Sequence, residues 1–401
     1  MQIFMNRSPS VKTTGLLFIM ILSALMAFTS LSTDIYLPAM PVMAKELQGN
    51  AELTITGFLI GFCLAQLIWG PISDRFGRRP PLIIGMVLFI IGSAGCALST
   101  DITQIVFWRV FQALGACTGP MLARAMIRDL FSRTRAAQML STLTIVMAIA
   151  PVVGPLLGGQ MIKFTSWHAI FWLLTAIGVF MLLSLYWLPE TLPLERRVST
   201  SLSGAFRTYY RLLSNVNFMK FTLCLTFYYV AIYAFIAGSP FVYITYFHID
   251  PQHYGWLFAV NIVGVMGLSA VNRRLVQHYP LETLLKGAVL VAATTSFVLA
   301  VATKLNVGGM ALIAFAIFIL FSMNGIIAAT ATAAALDAAP NAAGSASALI
   351  GSLQYGSGII SSLLLAMFSD GTPWTIGWII TLFTFASAAM ALTTRISQAD
   401  H

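Results

Sequence analysis

Apolar runs long enough to cross a bilayer, divided by short polar turns, repeat along the chain. About 20 apolar residues in a helix rising 1.5 Å per residue cross roughly 30 Å of hydrocarbon. By that ruler the pattern predicts spans at about 14–41, 53–72, 81–99, 104–126, 136–162 and 166–188, then 217–246, 253–271, 281–303, 308–335, 343–368 and 373–394. The two sets of six are divided by a stretch marked by Pro189, Glu190, Pro193, Glu195, Arg196, Arg197, Arg207, Arg211 and Lys220, the one connection long enough to be a linker. The expected architecture is an all-α membrane protein of twelve transmembrane helices in two six-helix bundles, residues 1–188 and 217–401, joined by a cytoplasmic linker at 189–216. Every other turn is short, so consecutive helices are antiparallel neighbours and no soluble domain is interposed.

Composition sharpens this. With 58% hydrophobic and only 9% charged residues, the chain departs far from a soluble domain, in which about a quarter of residues are charged. The net charge of +9 sits in short loops and not on one helix face or ribbon, which points to anionic lipid headgroups and away from nucleic acid. Arg7, Lys12, Arg75, Arg78, Arg79, Arg124, Arg128, Arg133, Arg135, the linker cluster, Arg273, Arg274, Lys286 and Arg395 fall on one side, and Lys45, Lys163 and Lys304 on the other. The positive-inside bias then puts both termini in the cytoplasm, and the first span is expected to stay uncleaved because no small-x-small site follows it and the apolar run continues past Thr33. Cys63, Cys96, Cys117 and Cys224 lie in apolar runs without metal-like spacing and read as small hydrophobes. No Gly-rich Lys-Ser/Thr phosphate loop is present, and the embedded Ser and Thr lack a His partner, so neither an ATP-driven pump nor an enzyme is expected. No cofactor is implied, and nothing demands more than a monomer.

Two charges stand inside the predicted membrane region. Asp34, in Ser32-Thr33-Asp34-Ile35-Tyr36-Leu37-Pro38, lies about seven residues before the outer end of span 1, and Arg109 about five after the outer start of span 4. Their depths, roughly 10 and 8 Å, match well enough for an ion pair or a shared hydrogen-bond network. A charge at mid-bilayer costs about 2.5 to 3.5 kcal/mol, so its presence signals a function or a partner. Gln112, one helical turn after Arg109, joins the candidate coupling set, with Asp34 as a switchable proton site. The plain alternative makes Asp34 an interfacial cap and Arg109 a snorkelling side chain.

Gly70-Pro71-Ile72-Ser73-Asp74-Arg75-Phe76-Gly77-Arg78-Arg79 matches the loop motif of the major facilitator superfamily. Gly70 is expected to let span 2 approach a neighbouring helix, Gly77 to make a tight turn, and the basic residues to stay at headgroup level. By resemblance Asp74 would act as a cytoplasmic latch, with Gly70, Asp74, Arg75, Gly77, Arg78 and Arg79 as the gating set. Asn272-Arg273-Arg274, in the corresponding place of the second half, keeps only the basic part. In span 5, Gly154, Pro155, Gly158 and Gly159 match the Gly-Pro-x-x-Gly-Gly core of the exporter branches and, with Pro151 before them, are expected to bend or seal the helix.

With Tyr-Leu-Pro-x-x-Pro after Asp34 and Arg-x-x-Gln in span 4, the chain resembles the Bcr/CflA family of drug exporters over nearly its whole length. The resemblance implies the major facilitator fold, alternating access, and proton-coupled efflux of bicyclomycin, phenicol or sulfonamide-type drugs across a bacterial inner membrane. Pocket candidates are Tyr36, Gln66, Tyr229, Tyr233, Asn261, Asn324 and Gln354, sparse polar groups among apolar surface of the kind that suits lipophilic ligands. Export of an amino acid or other small metabolite, or a non-transporting receptor, are the competing readings.

Overall fold

A computed structural model describes residues 16–131, 133–197 and 202–394. These are helical, with no strand among the described residues. Twelve helices are long and apolar enough to cross a membrane: Leu16–Glu46, Glu52–Phe76, Arg79–Leu98, Ile102–Leu130, Met147–Phe164, Trp167–Trp187, Val216–Tyr246, Pro251–Leu275, Leu281–Leu305, Gly309–Asp337, Ala343–Phe368 and Trp374–Leu392, numbered here as spans 1 to 12. The fifth is the apolar part of one helix running Arg133–Phe164. The all-helical expectation of twelve spans therefore holds, with ends shifted by a few residues. Arg7, Lys12 and Arg395 lie outside the described residues, as do the side chains of Arg133, Arg135 and Arg196.

The chain divides into two compact units, Met1–Ala205 and Phe206–His401. In the first, span 4 packs along spans 2 and 3, span 1 along span 5, and span 3 along span 6. In the second, span 7 packs against spans 10, 11 and 12, and span 9 against span 12. The stretch read as a linker contains a helix of its own, Leu202–Leu213, with Tyr209 and Leu212 buried while Phe206 and Tyr210 are exposed.

The first and fourth spans of each unit are broken, and those breaks position the functional groups. Span 1 stops being α-helical after Asp34 and continues as a 3₁₀ turn, Leu37–Ala39, then a short helix, Met40–Glu46. Pro38 and Pro41 remove backbone donors there. Span 4 breaks at Cys117, between Ile102–Ala116 and Thr118–Leu130. Pro120 cannot donate to the carbonyl of Ala116, which accepts from the Thr29 hydroxyl of span 1 instead (3.1 Å). Span 7 changes to a π-helical turn, Phe241–Tyr246, after Pro240. Span 10 breaks at Met323, between Gly309–Ser322 and Asn324–Asp337.

Candidate functional site

Arg109, seven residues into span 4, is fully buried in the first unit. Its Nη1 donates to the carbonyl of Ser32 (3.0 Å) and to Oε1 of Gln112, and its Nε to the carbonyl of Thr54 (3.4 Å). Ser32 is among the last four residues of the helix that ends at Asp34, so its carbonyl lacks the usual intrahelical partner. The break in span 1 thus creates an acceptor for the arginine. The guanidinium lies between the rings of Tyr36 and Phe58, 4.4 Å from each centroid, an arrangement that favours a desolvated planar cation. Gln112 passes the network on to Ser93 through Nε2 (2.8 Å), and the Tyr36 hydroxyl pairs with Thr54 (3.0 Å). Nη2 of Arg109 alone has no hydrogen-bond partner.

Asp34 is buried, 6% exposed, and its carboxylate is hydrogen-bonded by the Thr33 side chain. It lies twelve residues before the end of span 1 at Glu46, against about seven expected. The direct ion pair is not formed: among the described residues Arg109 has no carboxylate within salt-bridge distance. Neutral carbonyls, an amide and two rings hold the cation instead, while Asp34 acts on it at longer range. Span 5 presses on the same break. A methyl group on Gly158 would meet the carbonyl of Ile35, and one on Gly154 would touch Asp34 and Ile35, so both glycines allow the backbones to approach.

The charged turn between spans 2 and 3 forms a second site in this unit. Gly77 has φ +95°, which a side chain resists, and a Cβ there would meet the Glu190 carboxylate. Arg78 binds Asp74 through Nη1 (2.6 Å) and Asp129 through Nε (2.8 Å) and Nη2 (3.3 Å). Burial opposes the charge of Arg78, yet the hydrogen bonds it donates to Asp129 and Asp74 outweigh it and raise the guanidinium above its ordinary range. Glu190 accepts from the backbone amides of Arg78 (2.9 Å) and Arg79 (3.1 Å), capping the start of span 3. Arg79 donates to the carbonyls of Leu185 and Tyr186 (3.2 Å each).

Arg78 and Arg79 are both buried within the protein at the ends of spans 2 and 3, because Asp129, Glu190 and the carbonyls after span 6 supply their partners. Only Arg75 stays out, its guanidinium 5.3 Å from the Phe76 ring. At Gly70, against expectation, a methyl group would touch nothing within 4 Å; on span 2 the close approach is made at Gly57 and Gly61, where a Cβ would meet the carbonyls of Val106 and Val110.

The second unit gathers four of its sequence-predicted pocket residues. The Tyr229 hydroxyl is hydrogen-bonded by the side chains of Asn324 and Gln354. The Tyr233 ring lies 6.2 Å from that of Tyr229 and 6.3 Å from that of Tyr355. Asn261 is buried on span 8 and Gln66 half-buried on span 2; neither is hydrogen-bonded to these groups by any contact described above. Sequence reasoning missed Ser32, Thr54, Phe58 and Ser93 around Arg109, Asp129 at the turn, Glu190's role as a cap, and Tyr355. Thr54 and Phe58, one turn apart on span 2, carried a periodicity signal. The carbonyl of Ser32 carried none, because it depends on where the helix breaks.

Twelve spans in two units, with charge buried inside one of them, define a multi-pass membrane transporter and not an enzyme. The chain belongs to the Major Facilitator Superfamily, whose family model matches residues 20–362. It is 36% identical over 343 residues to an uncharacterized MFS-type transporter, YdgK, of Bacillus subtilis, covering 84% of this chain and 85% of that one. It is 30% identical over 362 residues to a bicyclomycin resistance protein homolog of Haemophilus influenzae, covering 88% and 90%. In fold it is similar to the partially occluded inward open xylose transporter XylE from E. coli, with a TM-score of 0.68, 16% identity, and 96% and 99% of the two chains covered.

Proposed function

We propose that this protein is a proton-coupled exporter of small lipophilic antibiotics in a bacterial inner membrane, a member of the Bcr/CflA branch working by alternating access. The observation that carries the reading is the buried carboxylate of Asp34 at the break in span 1, with the fully buried Arg109 bound two residues earlier on the same helix end. An ionisable group kept in hydrocarbon is retained where it moves protons or binds substrate. Resemblance to a relative named for bicyclomycin resistance supports drug-like cargo. In this reading Asp34 takes a proton from outside, proton and drug exclude one another, and Arg109 with Gln112 sets the field around the carboxylate. Each elementary charge moved through 100 mV contributes about 2.3 kcal/mol, enough for tens-fold accumulation before any pH term. Asp74 with its turn, and Gly154, Pro155, Gly158 and Gly159 in span 5, gate the cycle.

The test is drug-induced proton release and drug uptake in everted vesicles, native against Asp34→Asn. The variant is expected to insert normally and bind drug, but to lose proton-linked transport to background. An Asp34→Asn protein that still pumps drug against a gradient refutes the mechanism.

A further inference from the structure

In a helix interior a buried serine ordinarily returns its proton to a carbonyl one turn back. Ser32 does so to Phe28 (2.6 Å) and Ser99 to Gly95 (2.7 Å). Ser93, fully buried on span 3, makes no such bond among the described residues; the hydrogen bond it has there is one it accepts, from Nε2 of Gln112 (2.8 Å). Its hydroxyl thus serves a neighbour on another span and not its own helix.

The neighbour has a definite need. A guanidinium carries N–H donors and no acceptor, so the Gln112 atom that faces Arg109 has to be the carbonyl oxygen Oε1. The amide N–H donors are then turned toward span 3, in a residue with no exposed surface. A buried donor without an acceptor is costly, and Gln112 could relieve that cost only by turning away from Arg109. Ser93 removes the conflict. Backbone contact holds it in place: a Cβ on Gly92 would meet the backbone of Gln112 and the carbonyl of Trp108, so spans 3 and 4 touch at this level and the hydroxyl arrives with little slack.

We propose that Ser93 is a positioning residue for proton coupling: by accepting from Gln112 Nε2 it keeps Oε1 on Arg109, and so holds the guanidinium in the cage from which it acts on Asp34, while touching neither proton nor substrate itself. This rests on the transport reading above and deepens it, because it extends the coupling set from spans 1, 2 and 4 to span 3. A sulfur in place of the hydroxyl oxygen would fill the same room but accept poorly, which separates hydrogen bonding from packing.

The probes are chloramphenicol and bicyclomycin. Their flux in proteoliposomes under an imposed pH gradient is measured for native, Ser93→Ala, Ser93→Cys, Gln112→Met and the Ser93→Ala/Gln112→Met double variant. Each single substitution at Ser93 is expected to lower the maximal rate about 5- to 10-fold, with half-saturation within about twofold of native. On the Gln112→Met background Ser93→Ala should cost less than about twofold more, since the amide it serves is gone. Thermal unfolding of the same proteins in detergent reads the cycle where Gln112→Met leaves too little flux: the fall in melting temperature caused by Ser93→Ala should vanish once Gln112 is replaced. Native flux in Ser93→Cys, or an equal cost of Ser93→Ala with and without Gln112 in either measurement, overturns the proposal and leaves the transport reading intact. A native protein without proton-driven flux of either probe overturns the transport reading and this role with it.

Discussion

Among the described residues the first unit buries charge and the second buries none, although both use the same backbone device. In each, a first and a fourth span are broken, freeing carbonyls and offsetting side chains from the regular helix register. The first unit spends the freed Ser32 carbonyl on a guanidinium. The second gives the carbonyl of Leu320, just before the break in span 10, to the neutral hydroxyl of Tyr228 (2.6 Å). The contrast shows that a broken span does not dictate what it binds; the residue facing the break does. On the proposed reading, coupling falls to the first unit.

The comparison breaks most sharply at Arg109. Lysine keeps one positive charge but loses the planar fork and the fit between two rings, and cannot reach Ser32, Thr54 and Gln112 together. Losing two charge-assisted hydrogen bonds at about 1.5 to 3 kcal/mol each predicts a fall in proton-driven flux on the order of 100-fold or more for Arg109→Lys. Flux in proteoliposomes under an imposed pH gradient measures it. Native rates in the variant would mean that charge alone suffices and that the cage around it has no role in coupling.

A smaller effect separates two glycines, one in each unit. A Cβ on Gly158 of span 5 would collide with the carbonyl of Ile35, whereas one on Gly267 of span 8 would touch nothing within 4 Å. Gly158→Ala is expected to cost about 1 to 3 kcal/mol by overpacking and to slow transport, because it pushes span 5 off the break that carries Asp34. Gly267→Ala should be neutral or stabilising by up to about 1 kcal/mol, as alanine favours the helix. Thermal unfolding in detergent distinguishes them. Equal destabilisation would show that the tight contact at the span 1 break is not specific to the first unit.

Much of this was legible in the sequence, and the reason lies in which physics each feature obeys. The twelve spans follow from one-dimensional hydropathy, so their ends came within a few residues. Asp34 and Arg109 stood out because charges in apolar runs are rare. What the charges touch was not legible: the expected ion pair gave way to carbonyls and rings because helix breaks and side-chain packing are three-dimensional. Gly70 failed for the same reason, since a small residue signals room for a neighbour but does not say that one arrives. Tyr229, Asn324 and Gln354 were readable only as isolated polar residues on separate spans, and their convergence belongs to the fold.

The smallest contrast concerns the turns between the second and third spans of each unit. In the first, Glu190 takes the amides of Arg78 and Arg79 and also that of Leu192 (3.0 Å), tying the stretch after span 6 to the start of span 3. In the second, Arg273 and Arg274 close span 8 exposed to solvent, with no carboxylate in salt-bridge range among the described residues. Glu190→Ala leaves helix-start amides without their acceptor and is expected to cost about 1 to 2 kcal/mol. It should lower the melting temperature by a few degrees and speed proteolysis of the chain after span 6. Arg273→Ala removes only an exposed charge and should stay within about 0.5 kcal/mol of native. If Arg273→Ala melts as early as Glu190→Ala, the second turn is braced as firmly as the first and the asymmetry between the units is confined to their interiors.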